Sequence, residues 1–151
     1  MVWLGSTVHL FLRFDGRIGR GRFWAGLFTL AFIGSGLVVF GPDLFAARGG
    51  SGTDIWLVFL ALLLGVWMLA ALMAKRLHDG NRTGWLFLLY GGGPIILARF
   101  GDGMAAADNP VWAPLACYLA ALILVLWSLV DLGARPGTRG ANRFGPASRA
   151  H

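Results

Sequence analysis

Most of the side chains in this chain that could do chemistry sit in three short segments: residues 15–24 (DGRIGRGRFW), 75–85 (KRLHDGNRTGW) and 140–146 (GANRFGP). His78 beside Asp79 is a pairing in which a carboxylate can orient an imidazole acting as general base. Adjacent residues on a helix point in different directions, however, and no motif places a serine or cysteine nucleophile on the same side. The structural alternative is that Asp79 pairs with Arg17, Arg20 or Arg143 and ties the three segments together, with His78 at the interface. No catalytic residue is assigned. Gly16, Gly19 and Gly21, interleaved with Arg17, Arg20 and Arg22, could present backbone amides and guanidinium forks to a phosphate. The spacing is neither a dinucleotide-binding nor a P-loop fingerprint, and no strand precedes it. His9, His78 and Asp79 lack the spacing of a metal site, so no metal and no other cofactor is expected.

These segments are held apart by four apolar stretches, at 23–40, 55–74, 85–98 and 111–130. Three of them approach the roughly 20 residues that cross a bilayer. With 57% hydrophobic residues and a mean hydropathy of +0.68, the 151-residue chain reads as one small integral membrane domain. Of its 13 basic residues, only Arg48 and Arg99 lie beyond the first or third apolar stretch. The remainder share one side if both termini do, which the positive-inside rule makes the cytoplasmic side. That side sets 11 basic residues against Asp15, Asp79 and Asp131, a balance of +8. The other sets 2 against Asp43, Asp54, Asp102 and Asp108, a balance of −2. Such a face attracts anionic lipid, at about 1 kcal/mol per basic residue near the surface. Charges of this kind also do no more than orient and anchor helices, and both readings stand. Nucleic acid is not an expected partner.

The expected fold is an all-α membrane protein with four transmembrane helices, an N-terminal interfacial helix and both termini cytoplasmic. The domain covers residues 1–132, with the interfacial helix at 1–14 and spans near 23–40, 55–74, 84–100 and 111–130. A basic cytoplasmic tail follows at 133–151. Residues 1–12 are apolar but have neither a preceding basic region nor a small-residue cleavage site, and so suit the headgroup level better than a removable signal. Gly41 and Pro42 are expected to end the first span. Thr53 or Asp54 would cap the second, and Asn109 with Pro110 would open the fourth. The third is short and carries Gly91, Gly92, Gly93 and Pro94, so a kinked or broken helix is expected. Ala61 and Gly65, and Ala113, Cys117 and Ala121, are small residues at four-residue spacing that let helices approach within one bundle or between protomers. The single cysteine excludes an intrachain disulfide framework.

Taken together, the three polar segments resemble the bacterial membrane-protein family known as domain of unknown function 805. Gly16, Arg17, Arg20, Phe23 and Trp24 match its GR-x-x-R-x-x-FW motif, and Arg76, Leu77, His78, Asp79, Gly84 and Trp85 its RRLHD-x-x-x-SGW connection. Gly140, Asn142, Arg143, Phe144 and Gly145 match its G-x-NR[YF]G-x-P tail. The chain departs from the pattern at Arg22, at Thr83 and after Pro146. The resemblance implies a multi-pass protein of the bacterial inner membrane and no assigned activity. On this reading Arg17, Arg20, Arg76, His78, Asp79, Trp85, Asn142 and Arg143 form a cytoplasmic cluster. It would bind anionic lipid headgroups or a membrane-protein partner, including a second copy of the chain, or be structural. The alternative is a small oligomeric transporter or channel using the third span.

Overall fold

The computed structural model describes residues 9–47 and 52–146. Most of the expected interfacial helix, the loop around Arg48 and the last residues with Arg149 lie outside these. The architecture is helical throughout: α1 (Arg20–Ala47), α2 (Gly52–Asp79), a π-helical segment (Leu88–Gly92) leading into α3 (Gly93–Ala106), and α4 (Trp112–Leu129) leading into a second π-helical segment (Val130–Ala134). Among the described residues the only β pairing is an isolated bridge between Asn142 and Gly145.

Three helices are long and apolar enough to cross a membrane, over Arg20–Gly41, Trp56–Asp79 and Trp112–Ala134. Residues 86–106 form a further helical run without a break. Pro94 has no N–H to give to the preceding turn, and the π-helical geometry just before it absorbs the mismatch. The Gly93 N–H donates to the carbonyls of both Leu88 and Leu89.

Several expected helix ends fall elsewhere. α1 does not stop at Gly41 and Pro42 but continues to Ala47. A proline there removes only the hydrogen bond to the Val38 carbonyl, a residue 76% exposed, which the helix tolerates at an unpacked position. α2 begins at Gly52, so Thr53 and Asp54 lie within its first turn instead of capping it. Asn109 does not cap α4, whose first turn starts after Val111 without a side-chain cap. Its side-chain amide instead donates to the Met104 carbonyl at 3.1 Å, closing the end of α3. A left-handed residue lies two positions past the end of both α2 and α3, Asn81 (φ 57°) and Asp108 (φ 49°). In each the next amide reaches back five residues, Arg82 to Leu77 and Asn109 to Met104, which satisfies carbonyls at the helix end. Asn and Asp are the non-glycine residues that adopt this conformation most readily.

The start of α1, the end of α2, the start of the 86–106 run and the end of α4 meet at one end of the molecule. Arg17 reaches Asp79, Trp24 reaches Gly133, and Tyr90 reaches Asp131. α3 and α4 run antiparallel, with Gly93 against Leu124 and Gly101 against Tyr118. The hydrophobic core lies at this same end: Ile18, Phe23, Leu72, Met73, Leu77, Tyr90 and Leu132 pack together. Away from it the helices are apolar and uncovered, with Phe32 83% and Trp56 70% exposed. Water would not tolerate that surface, whereas hydrocarbon is its matching solvent.

Close approach at the core end is made by glycine. A Cβ on Gly133 would sit 2.5 Å from the Trp24 ring, whose indole N–H already donates to the Gly133 carbonyl at 3.2 Å. The rigid ring cannot yield by a rotamer change, so Gly133→Ala is expected to destabilise by about 1–3 kcal/mol through overpacking. A Cβ on Gly65, by contrast, meets nothing within 4 Å in the middle of α2, so Gly65→Ala should leave stability unchanged or raise it by up to about 1 kcal/mol. Thermal unfolding of the two purified variants in one detergent checks both, and equal midpoints would refute the packing role of Gly133.

Candidate functional site: two buried carboxylates at the basic end

Arg13, Arg17, Arg20, Arg22, Lys75, Arg76, Arg82, Arg135, Arg139 and Arg143 all belong to the segments that converge at the core end. Two carboxylates are buried among them, with side chains 3% (Asp79) and 4% (Asp131) exposed. Burying a carboxylate without compensation would cost several kcal/mol, and each is surrounded by charged donors.

Asp79 ends α2 and accepts from two arginines of other segments or turns. Arg17 Nε donates to its Oδ1 at 3.1 Å and Arg76 Nη1 to its Oδ2 at 2.7 Å. Both guanidinium side chains are 2% exposed. Arg17 further donates to the carbonyls of Gly140 (2.7 Å) and Thr138 (2.7 Å), which pins the C-terminal segment against α2. Arg76 donates to the carbonyl of Leu132 at 2.5 Å and to that of Arg135. The backbone joins in: the Asp79 carbonyl accepts from the Thr138 amide at 2.8 Å and from its hydroxyl at 3.0 Å. Gly137 has to be glycine here, because a Cβ would stand 2.0 Å from Asp79 Oδ2.

His78 faces away from the carboxylate beside it. Its ring stacks on Phe144 at 3.9 Å with 8° between planes, and Nδ1 lies 3.3 Å from the Gly16 carbonyl. Gly16 presents that carbonyl from φ +89°, a left-handed backbone that a side chain would strain. The Asn142 side-chain NH2 donates to the His78 carbonyl and to the Thr138 hydroxyl, both at 2.9 Å, while its Oδ1 accepts from the Phe144 amide at 2.9 Å.

Of the residues singled out from the sequence, Arg17, Arg76, Asp79, His78 and Asn142 are thus brought into one network. The Arg17 guanidinium is committed to the protein's own oxygens and is not displayed for a phosphate. Arg20 and Arg143 have partners elsewhere. Arg20 Nη1 donates to the Ala134 carbonyl at 3.3 Å, and Arg143 lies over the Phe144 ring at 4.6 Å and donates to the Asn81 carbonyl at 3.4 Å. Trp85 stands apart, 73% exposed. No three His, Cys or carboxylate side chains among the described residues lie close enough to hold a metal ion.

The second network was not singled out from the sequence. Asp131 Oδ2 accepts from Arg82 Nη1 at 2.5 Å and from the Tyr90 hydroxyl at 2.7 Å, and Oδ1 accepts from Arg135 Nη1 at 2.6 Å. Its signal was an acid closing an otherwise apolar helix, with a basic residue four positions on. Lys75 is a further buried cation, 3% exposed, whose ammonium donates to the carbonyls of His9 and Leu10 and so closes the helical turn at residues 9–12.

Comparison with known proteins fits the order of these segments. A family model described as "Protein of unknown function (DUF805)" matches residues 11–146. The chain belongs to this family. It is 37% identical over 134 residues to the "Uncharacterized protein YiiR" of Escherichia coli strain K12, and equally to that of strain O157:H7; each match covers 87% of this chain and 83% of the relative. No solved structure matches. The matched region begins before Arg17 and ends just past Gly145, so it contains every residue of the Asp79 network.

Removal of the central carboxylate tests that network. Asp79→Ala leaves two buried guanidiniums without their anion and is expected to destabilise by about 3–5 kcal/mol. The C-terminal segment should come loose first, so trypsin should cut after Arg139 and Arg143 under conditions in which the parent is protected. An unchanged midpoint and cleavage pattern would refute the role given to Asp79.

Proposed function

We propose that the chain is a four-span protein of the bacterial inner membrane, both termini cytoplasmic, whose basic cytoplasmic face holds anionic phospholipid headgroups. The observation that carries the reading is a sorting of arginines into two kinds at one end of an apolar bundle. Arg17 and Arg76 are consumed by the fold, whereas Arg20, Arg22, Arg139 and Arg143 keep exposed side chains on the same end. The fourth span is the run at 86–106, roughly 30 Å long and sufficient for the hydrocarbon core, with Arg99 and Asp102 at its far end. Exposed Trp85 and Trp127 sit near the basic end, where indole rings favour the headgroup level. The opposite end supports the orientation, since its acidic residues outnumber its basic ones. Ionisable residues away from the helix ends would favour conduction, and the charges of this bundle lie toward the ends.

Each exposed arginine near the surface contributes about 1 kcal/mol of attraction to anionic lipid, which salt weakens. In vesicles of mixed composition, brominated phosphatidylglycerol is expected to quench tryptophan fluorescence several-fold more effectively than brominated phosphatidylcholine. Replacing Arg20, Arg22, Arg139 and Arg143 together by glutamine should make the two lipids quench alike while the protein still inserts. Equal quenching in the parent would dismiss lipid selection and turn attention to a protein partner.

A further inference from the structure

Beside the Asp131 network lies a cavity of about 180 Å³ whose lining includes Arg76, Arg82, Asp131, Arg135 and Thr138. Three arginines line it against one carboxylate. Arg76 spends its nitrogens on Asp79 and on the carbonyls of Leu132 and Arg135, so it adds positive field without offering an arm. Arg82 and Arg135 differ from it. Each gives one terminal nitrogen to Asp131, on opposite oxygens at 2.5 and 2.6 Å, and their side chains stay 39% and 48% exposed. The carboxylate between them is 4% exposed, so a molecule approaching from the surface meets the two forks and not the acid that orients them. A guanidinium has five N–H donors in a planar fork, and one bond to Asp131 leaves the second arm of each for a further acceptor.

The two helices that carry this arrangement are both π-helical where they contribute to it. Tyr90 lies within Leu88–Gly92 and Asp131 within Val130–Ala134, and the Tyr90 hydroxyl joins them through Asp131 Oδ2. Such bulges are less regular than α-helix and recur at functional sites, where they aim a side chain that regular geometry would not. Arg135 also lies over the Trp127 ring at 5.8 Å, which sets this fork near the membrane interface.

We propose that the cavity is a phosphate seat, in which the free arms of Arg82 and Arg135, held apart by Asp131, grip a tetrahedral phosphate group. That chemistry is shared by the phosphodiester of a lipid headgroup and by free phosphate. The seat is a stoichiometric site of residues other than Arg20, Arg22, Arg139 and Arg143, so either can fail without the other.

The test is calorimetric titration of the full chain in neutral detergent with two probes, inorganic phosphate and monomeric dihexanoyl phosphatidylglycerol. Saturable one-to-one binding is expected for at least one. Binding of the lipid alone assigns a headgroup seat, and binding of inorganic phosphate assigns a free-anion seat. Arg82→Lys and Arg135→Lys keep a cation on Asp131, hence the fold, but lose the second arm, and either should weaken binding about tenfold or more. Arg13→Gln removes a whole charge, which the lysine variants do not, but from an exposed residue outside the cavity, and should change affinity less than about twofold. No saturable binding of either probe would overturn the proposal, as would an Arg13→Gln loss equal to that of the lysine variants.

Discussion

A carboxylate buried at the point where three chain segments meet governs this structure. Asp79 accepts from two guanidiniums, one on each oxygen, and burial of a carboxylate depends on donors of that kind. The arrangement couples elements that nothing else in the sequence obliges to meet: the turn before α1 through Arg17, the end of α2 through Arg76, and the C-terminal segment through Thr138 and Gly137. In a bilayer the apolar effect places helices across the membrane but does not choose their neighbours, because lipid tails are as apolar as leucine. Specific pairing has to come from close packing and polar contacts, and here both are concentrated at one end.

The consequence is a bundle tied at its base. Buried side chains crowd around the last turns of α2, from Ala70 to Asp79, while Trp56 to Trp67 on the same helix are mostly exposed. α3 and α4 keep contact further along, through Gly93 with Leu124 and Gly101 with Tyr118. α1 and α2 depend more on the base, where Gly26 admits Leu72 so closely that a Cβ would stand 2.8 Å from it. The outer half of α1 and α2 therefore relies on its solvent being hydrocarbon, and the polar base is what fixes which helices share it.

The helical class and the three long apolar helices were legible because they follow from apolar length, read directly from residue types. The location of helix ends was less so. Pro42 lies in α1 because the carbonyl it leaves unpaired belongs to an unpacked turn, and packing is invisible in a single sequence. Asn109 carries the same side chain whether it caps the helix that follows or the one that precedes, and only the path of the chain decides. In the site, the convergence of the three motifs was visible, and so was Asp79 as an anchor for Arg17. The choice of Arg76 over Arg20 and Arg143 was not, since it depends on rotamers three residues along one helix. Asp131 was missed because its partners come from three places, Arg82 in a turn, Tyr90 in an apolar run and Arg135 beyond the helix, with no shared motif.

The two carboxylates then differ in a way that bears on what the basic end can do. Both Asp79 guanidiniums are sealed, at 2% exposure, and are bonded to the protein's own oxygens. Asp131 is as deeply buried, yet its guanidiniums are not, and a buried acid with reachable bases is the inverse of a plain surface ion pair. Exposed pairs contribute little to stability, about 0–1 kcal/mol, so stability alone gives weak reason to hold two long side chains on one hidden acid. Holding them apart at a fixed spacing does have a chemical use, because preorganised donors lose less freedom when an anion arrives. The same number of arginines spread over the face would attract phosphate but could not orient it.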